Sequence, residues 1–205
     1  MPYAFRSDDV DLDRTLEVLT AKPDADHTDV IVRERSRTPE AVVLLVDVSG
    51  SMRGEKARIV AATVSALAAD LVHDELGLVA FWSDAAVISS PGDRASGPEM
   101  LERMLRIPAR GLTNLNFGLE VARSELARCA APRRTVVLLS DAVHNAGPDP
   151  RDVARKIPRL HVLLQTDGEH DAPLAVDLAR LGHGRLATVR TYRDVPEALN
   201  RAFAF

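Results

Sequence analysis

From about Ala41 to the C-terminus, short continuous apolar runs alternate with stretches whose apolar residues recur every three or four positions. This alternation constrains the fold more than any other feature of the chain. Ala41–Val46 is short, unbroken and rich in β-branched residues, which predicts a strand buried on both faces. After a turn at Gly50 and Gly54, Val60, Val64, Leu67, Ala68 and Leu71 follow helical spacing. Leu76–Trp82 and Ala86–Ile88 read as two strands joined by the short Ser83-Asp84 turn, a linkage that only an antiparallel pair can use, here at a sheet edge. Helices are expected over Pro98–Arg106 and after Asn114, the second with Leu115, Leu119, Ala122 and Leu126 on one face. Thr135–Leu139 and Leu160–Leu164 are further buried strands. Ala172–Leu181 is helical, Arg185–Val189 is a last strand, and Val195–Phe205 is a closing helix. The sum is a three-layer α/β fold: an open, doubly wound sheet, mostly parallel with one antiparallel edge strand, and helices on both faces.

The first 39 residues break the pattern. Asp8–Leu19 reads as a short amphipathic helix, with Leu12, Leu16 and Leu19 at helical spacing, and Thr28–Arg35 alternates as a half-exposed strand does. We expect residues 1–39 to form an arm packed on a main domain of residues 40–205. The acids Asp8, Asp9, Asp11 and Asp13 suit a solvated helix N-terminus, and Arg33, Arg35 and Arg37 suit the protection of an edge strand.

Composition narrows the class of function. With Lys+Arg 26 against Asp+Glu 30 the net charge is −4, which does not give the broad basic footprint of a nucleic-acid binder. The lone cysteine, Cys129, offers neither an intrachain disulfide nor a thiolate metal site, and it continues the apolar stripe of its helix. No apolar run approaches the ~20 residues a membrane span needs, and the N-terminus lacks a basic segment followed by an apolar one. A cytoplasmic protein is expected, with no membrane and no nucleic acid among its partners.

The stretch that carries chemistry is Asp47-Val48-Ser49-Gly50-Ser51, immediately after the first buried strand. Ligands of open α/β sheets bind at the carboxyl ends of the strands. A chain turning at Gly50 can aim Asp47, Ser49 and Ser51 at one point, because glycine permits the backbone angles required. Two more candidates stand at comparable places: Thr113, just before a helix, and Asp141, at the end of the strand Thr135–Ser140. Thr113 suits a helix cap as well as a ligand, and the two roles are compatible. Carboxylates and hydroxyls together suit Mg²⁺ or Mn²⁺ and disfavour Zn²⁺.

This arrangement resembles the metal-ion-dependent adhesion site of the von Willebrand factor A domain family, whose fold is Rossmann-like. That family's pattern is Asp-x-Ser-x-Ser, a Thr in a later loop and an Asp in a further one, matched here by Asp47, Ser49 and Ser51, by Thr113 and by Asp141. Ser49-Gly50-Ser51-Met52 strengthens the match, which covers about Glu40 to Phe205. The sequence departs at Ala142 and Leu112, where many members have Gly. The resemblance implies a Mg²⁺ ion (or Mn²⁺) held by those five residues, and a protein partner that supplies a Glu or Asp carboxylate. Among family members the chain is similar to those that act with MoxR-type AAA+ ATPases and to metal-chelatase subunits, so an AAA+ partner is implied. Asp141 is open to direct or water-mediated ligation.

Four residues near these strand ends are candidates for partner contact: Trp82, Asn114, His144 and Asn145. For Trp82 the competing role is packing at the core or its rim, and for His144 simple solvation. His161, His170 and His183 lack metal-ligand spacing. Two other functions fit the residues less well. A Mg²⁺-dependent phosphohydrolase would use Asp47 but finds Ser49 where its second Asp belongs, and a metal-free interaction scaffold would leave the site vestigial. A binding module, not an enzyme, is the expectation.

Overall fold

The structure, a computed structural model, describes residues 12–22, 38–50, 54–93, 95–107 and 111–203. The chain divides into two compact units, Met1–Thr38 and Pro39–Phe205. In the first, helix α1 covers Leu12–Ala21, with Leu12 and Leu16 largely exposed. The strand expected over Thr28–Arg35 and the acids Asp8, Asp9 and Asp11 lie outside the described residues.

The second unit has the expected architecture. Six strands, β1 (Glu40–Asp47), β2 (Glu75–Phe81), β3 (Ala85–Ser89), β4 (Arg133–Ser140), β5 (Leu160–Gln165) and β6 (Leu186–Val189), form one sheet in the order β3-β2-β1-β4-β5-β6. All neighbours are parallel except β2 and β3, the antiparallel edge pair. Helices α2 (Gly54–Asp70), α3 (Gly97–Leu105), α4 (Leu115–Ala127), α6 (Ala172–Leu181) and α7 (Val195–Phe203) complete the layers. Two short pieces were not expected, α5 (Arg151–Ala154) and a 3₁₀ turn at Tyr192–Asp194. Neither is long enough to show apolar periodicity.

The strand period of two splits the core. Val43, Leu45, Leu138 and Val162 pack against Leu115, Leu119 and Ala122 of α4 and Leu178 of α6. Val42, Leu44, Val46 and Leu139 face the other way, onto Ile59, Val60 and Val64 of α2 and Leu199 of α7. Every residue of β1 is buried, because helices cover both of its faces. Cys129 lies in the first of these clusters, as its stripe predicts.

Strand order also creates the cleft. β1 is flanked by β2 on one side and β4 on the other, so the loops leaving β1 and β4 diverge to opposite faces of the sheet. Asp47 ends β1 and Asp141 follows β4, which puts both at the switch point where such sheets bind ligands.

Candidate functional site

The β1–β4 register pairs Val46 with Leu139, so the next residues, Asp47 and Ser140, share one face. The Asp47 side chain has no accessible surface. Ser140 Oγ donates to Asp47 Oδ2 at 2.7 Å. The other carboxylate oxygen, Oδ1, accepts from the Ser49 hydroxyl at 2.6 Å and from the Ser49 backbone N–H at 2.9 Å. Thr113 Oγ1 in turn donates to Ser49 Oγ at 2.7 Å. Three of the five expected ligands, Asp47, Ser49 and Thr113, are therefore linked in one hydrogen-bonded chain. Ser51 lies outside the described residues.

Asp141 stands at the same place. Burial pushes its carboxyl above the usual range; the Val143 N–H at 2.9 Å opposes this, the charge of Asp47 adds to it, Lys56 opposes it and Asp167 adds again. Asp47 and Asp141 are thus close enough to repel. Neither forms a salt bridge among the described residues. Lys56 is the nearby cation, and its Nζ donates to the Ser49 carbonyl at 3.0 Å.

Two carboxylates that repel one another, one wholly buried, leave a charge deficit that costs free energy unless a cation meets it. The donor set, hydroxyl and carboxylate oxygen only, fits a hard divalent ion. Among the described residues no group of three or more His, Cys, Asp or Glu is placed to hold a metal. A site here would take its other donors from Ser and Thr.

The loop after β4 contains a left-handed residue. Ala142 sits at φ 63°, in the left-handed region, and its N–H donates to Ser140 Oγ at 2.9 Å. Where many family members place Gly, this chain accepts a strain of about 1 kcal/mol to hold an Ala there.

The four candidate partner contacts all lie at this end of the sheet, and each is engaged within the chain. Trp82 is half-buried against the β1–α2 side of the core, and its carbonyl accepts from the Asn114 N–H at 2.8 Å. Asn114 caps α4, its Oδ1 accepting from the Phe117 N–H at 3.1 Å. Asn145 Oδ1 accepts from the Thr113 N–H at 2.7 Å, and His144 Nδ1 from the Leu115 N–H at 3.3 Å. His144 and Asn145 thus clamp the Thr113 loop to the Asp141 loop.

Sequence reasoning missed Ser140 and Lys56. Ser140 could have been found from its place beside Asp47 in a parallel register, but that needs the strand pairing. It also missed an apolar rim: Leu112 (53% exposed) and Phe117 (37% exposed) flank Thr113 and Asn114 in the chain.

The fold is a three-layer α/β sandwich with a cluster of hydroxyls and carboxylates at the switch point of its sheet. The von Willebrand factor type A domain model matches residues 42–144, and the chain belongs to that family. No curated protein matches the chain in sequence. Among solved structures, an aerotolerance-related membrane protein from Bacteroides fragilis is 16% identical with a TM-score of 0.63, over 80% of this chain and 98% of that one. The PilB minor pilin of Streptococcus sanguinis is 16% identical with a TM-score of 0.64, over 82% of this chain and 60% of that one. Proximal thread matrix protein 1 from the mussel byssus, described with a zinc-occupied MIDAS motif, is 16% identical with a TM-score of 0.65, over 80% and 46%. None of the three is named for a catalytic activity.

These likenesses correct one expectation. The cytoplasmic location inferred from the sequence does not stand, because structures of this fold include a membrane protein and a pilin. No helix among the described residues is long and apolar enough to cross a membrane. That property belongs to the folded domain and does not fix where the domain resides.

Proposed function

We propose that the chain is a metal-dependent protein-binding module in which Asp47, Ser49, Ser51, Thr113 and Asp141 hold Mg²⁺, with Mn²⁺ as the alternative ion. The observation that carries this reading is Asp47: a fully buried carboxylate whose partners are hydroxyls and an N–H, with no ion pair among the described residues. When bound, the ion supplies a positive point to which a Glu or Asp carboxylate of a protein partner attaches.

The chain's own residues do the rest. Ser140 fixes one oxygen of Asp47, while His144 and Asn145 hold the Thr113 loop against the Asp141 loop. Leu112 and Phe117 offer exposed apolar surface beside the site, suited to the buried part of an interface. The mussel protein of this fold, described with a zinc-occupied MIDAS motif, supports the reading of a divalent ion. Oxygen-only donors favour Mg²⁺ over zinc in this chain. The partner implied by the family resemblance is an AAA+ ATPase of the MoxR type, with this chain as its adaptor.

Calorimetric titration with MgCl₂ and MnCl₂ tests the metal, and affinity capture with and without EDTA tests the partner. Saturable uptake lost in Asp47→Ala/Asp141→Ala, and a retained ATPase released by EDTA, are expected. Uptake no greater than in that double variant would leave a metal-free scaffold. Hydrolysis of a phosphomonoester with Mg²⁺, abolished in Asp47→Ala, would make the chain a phosphohydrolase.

A further inference from the structure

We propose that the pole of the domain opposite Asp47 carries a second binding site, a cleft for a small, multiply charged phosphate-class anion, built by Arg133, Arg159, His161 and His183. The cleft has a volume of about 290 Å³ and opens where β1, β4, β5 and β6 begin, with Phe203 of α7 on one side. The size suits a diphosphate or an organic phosphate better than a monatomic ion. It shares no residue with the cluster around Asp47.

Charge is the first argument. Three guanidiniums, Arg133, Arg159 and Arg185, line the cleft against a single carboxylate, Glu40, whose Oε1 is occupied by the Thr135 hydroxyl. Arg185 is committed, its Nη1 donating to the Arg201 carbonyl at 3.0 Å. Arg133 and Arg159 are exposed, and their side chains have neither ion pair nor hydrogen bond among the described residues. Seven other arginines, including Arg151 and Arg180, are paired with acids. In a chain of net charge −4, two unpaired guanidiniums beside one recess are a concentrated positive field. Guanidinium is also the group best shaped for phosphate.

The second argument is His161, which is 4% exposed and lines the cleft. Its Nδ1 accepts from the Arg185 N–H at 3.1 Å, so the ring proton sits on Nε2. Burial, with Arg159 and Arg185 close by, pulls its pKa down to about 4, and the ring is neutral at physiological pH. That leaves its Nε2–H donor with no acceptor among the described residues, beside two cations. An anion in the cleft would give it an acceptor.

His183 is the third. It follows the cap of α6 at φ 53°, a left-handed position that helices usually give to glycine, although Gly182 and Gly184 stand on either side. The side chain placed there at a conformational cost lines the cleft.

Isothermal titration of the full chain with sodium pyrophosphate at 50 mM salt tests the site, with NMR of the His161 ring to locate it. We expect one saturable site, a shift of the His161 ring resonances on binding, and at least tenfold weaker binding in Arg133→Ala/Arg159→Ala. Both arginines are exposed, so the variant should fold. The control Arg58→Ala/Arg106→Ala removes the same charge elsewhere and should bind as the parent does. Absence of saturable binding, an unmoved His161 ring, or equal loss in the control would each overturn the proposal. Cosedimentation with phosphatidylcholine vesicles containing phosphatidic acid separates the sources of phosphate. Retention on vesicles without affinity for free pyrophosphate would assign the phosphate to a lipid headgroup and overturn a free ligand.

Discussion

Ser140 donates its hydroxyl proton to Asp47 Oδ2 at 2.7 Å across the β1–β4 pair, and both side chains have no accessible surface. The same hydroxyl oxygen accepts from the Ala142 N–H at 2.9 Å. One serine thus orients the carboxylate of the first loop and fixes the backbone of the second. Ser140→Ala leaves a buried carboxylate oxygen and a buried N–H unsatisfied, a loss of about 2–3 kcal/mol. Urea denaturation should show it, and Ser140→Thr, which keeps the hydroxyl, should recover most of it. Full stability in Ser140→Ala would show that the bond does not hold the site together.

Asp141 responds to pH in a direction fixed by its surroundings. Its folded-state pKa is raised, chiefly by burial, so the folded chain binds this proton more tightly than the unfolded chain. The contribution to stability is therefore present below the unfolded pKa and lost as pH rises through the folded one. In EDTA, Asp141→Asn should melt at a higher temperature than the parent at pH 7, with the gap closing as pH falls toward the carboxylate range. With MgCl₂ present, the parent alone should gain. A variant less stable at pH 7 in EDTA would contradict this account.

His161 acts in the opposite sense. A histidine depressed to about 4 in the fold and near 6.5 when unfolded contributes stability above pH 6.5, and loses it as pH falls toward 4. The contribution is about 3 kcal/mol. His161→Phe should flatten the stability profile between those limits, measured by denaturation at successive pH values. An unchanged slope would assign the acid sensitivity to other groups.

Gly118 seats α4 on the sheet. A Cβ at this position would stand 2.7 Å from Cγ of Phe81, which is fully buried and cannot retreat. Gly118→Ala should cost about 1–3 kcal/mol through overpacking. Because α4 begins at Leu115, two residues after Thr113, the same variant should also weaken Mg²⁺ uptake. Unaltered stability and uptake would show that the helix can shift without consequence.

How much of this was legible beforehand follows from where each signal resides. The buried strands could be read one by one, because Ala41–Val46 and Leu160–Leu164 are apolar in every position, and α4 from its stripe of Leu115, Leu119, Ala122 and Leu126. The hairpin was written in the shortness of Ser83-Asp84. The candidate ligands Asp47, Ser49, Thr113 and Asp141 were identifiable as oxygen-bearing residues at the ends of elements, aided by a family pattern. The cytoplasmic assignment failed because hydropathy reports on a domain's core and not on its address.

The sequence by itself determined the layers of this protein, since apolar period and turn chemistry are local and survive in one dimension. Only the tertiary structure decided the strand order β3-β2-β1-β4-β5-β6, and with it everything that depends on neighbours. Register placed Ser140 against Asp47, 93 residues away, and gathered Arg133, Arg159 and His161 at the opposite pole. Such pairings arise when distant segments bury apolar surface together, and no local pattern records them.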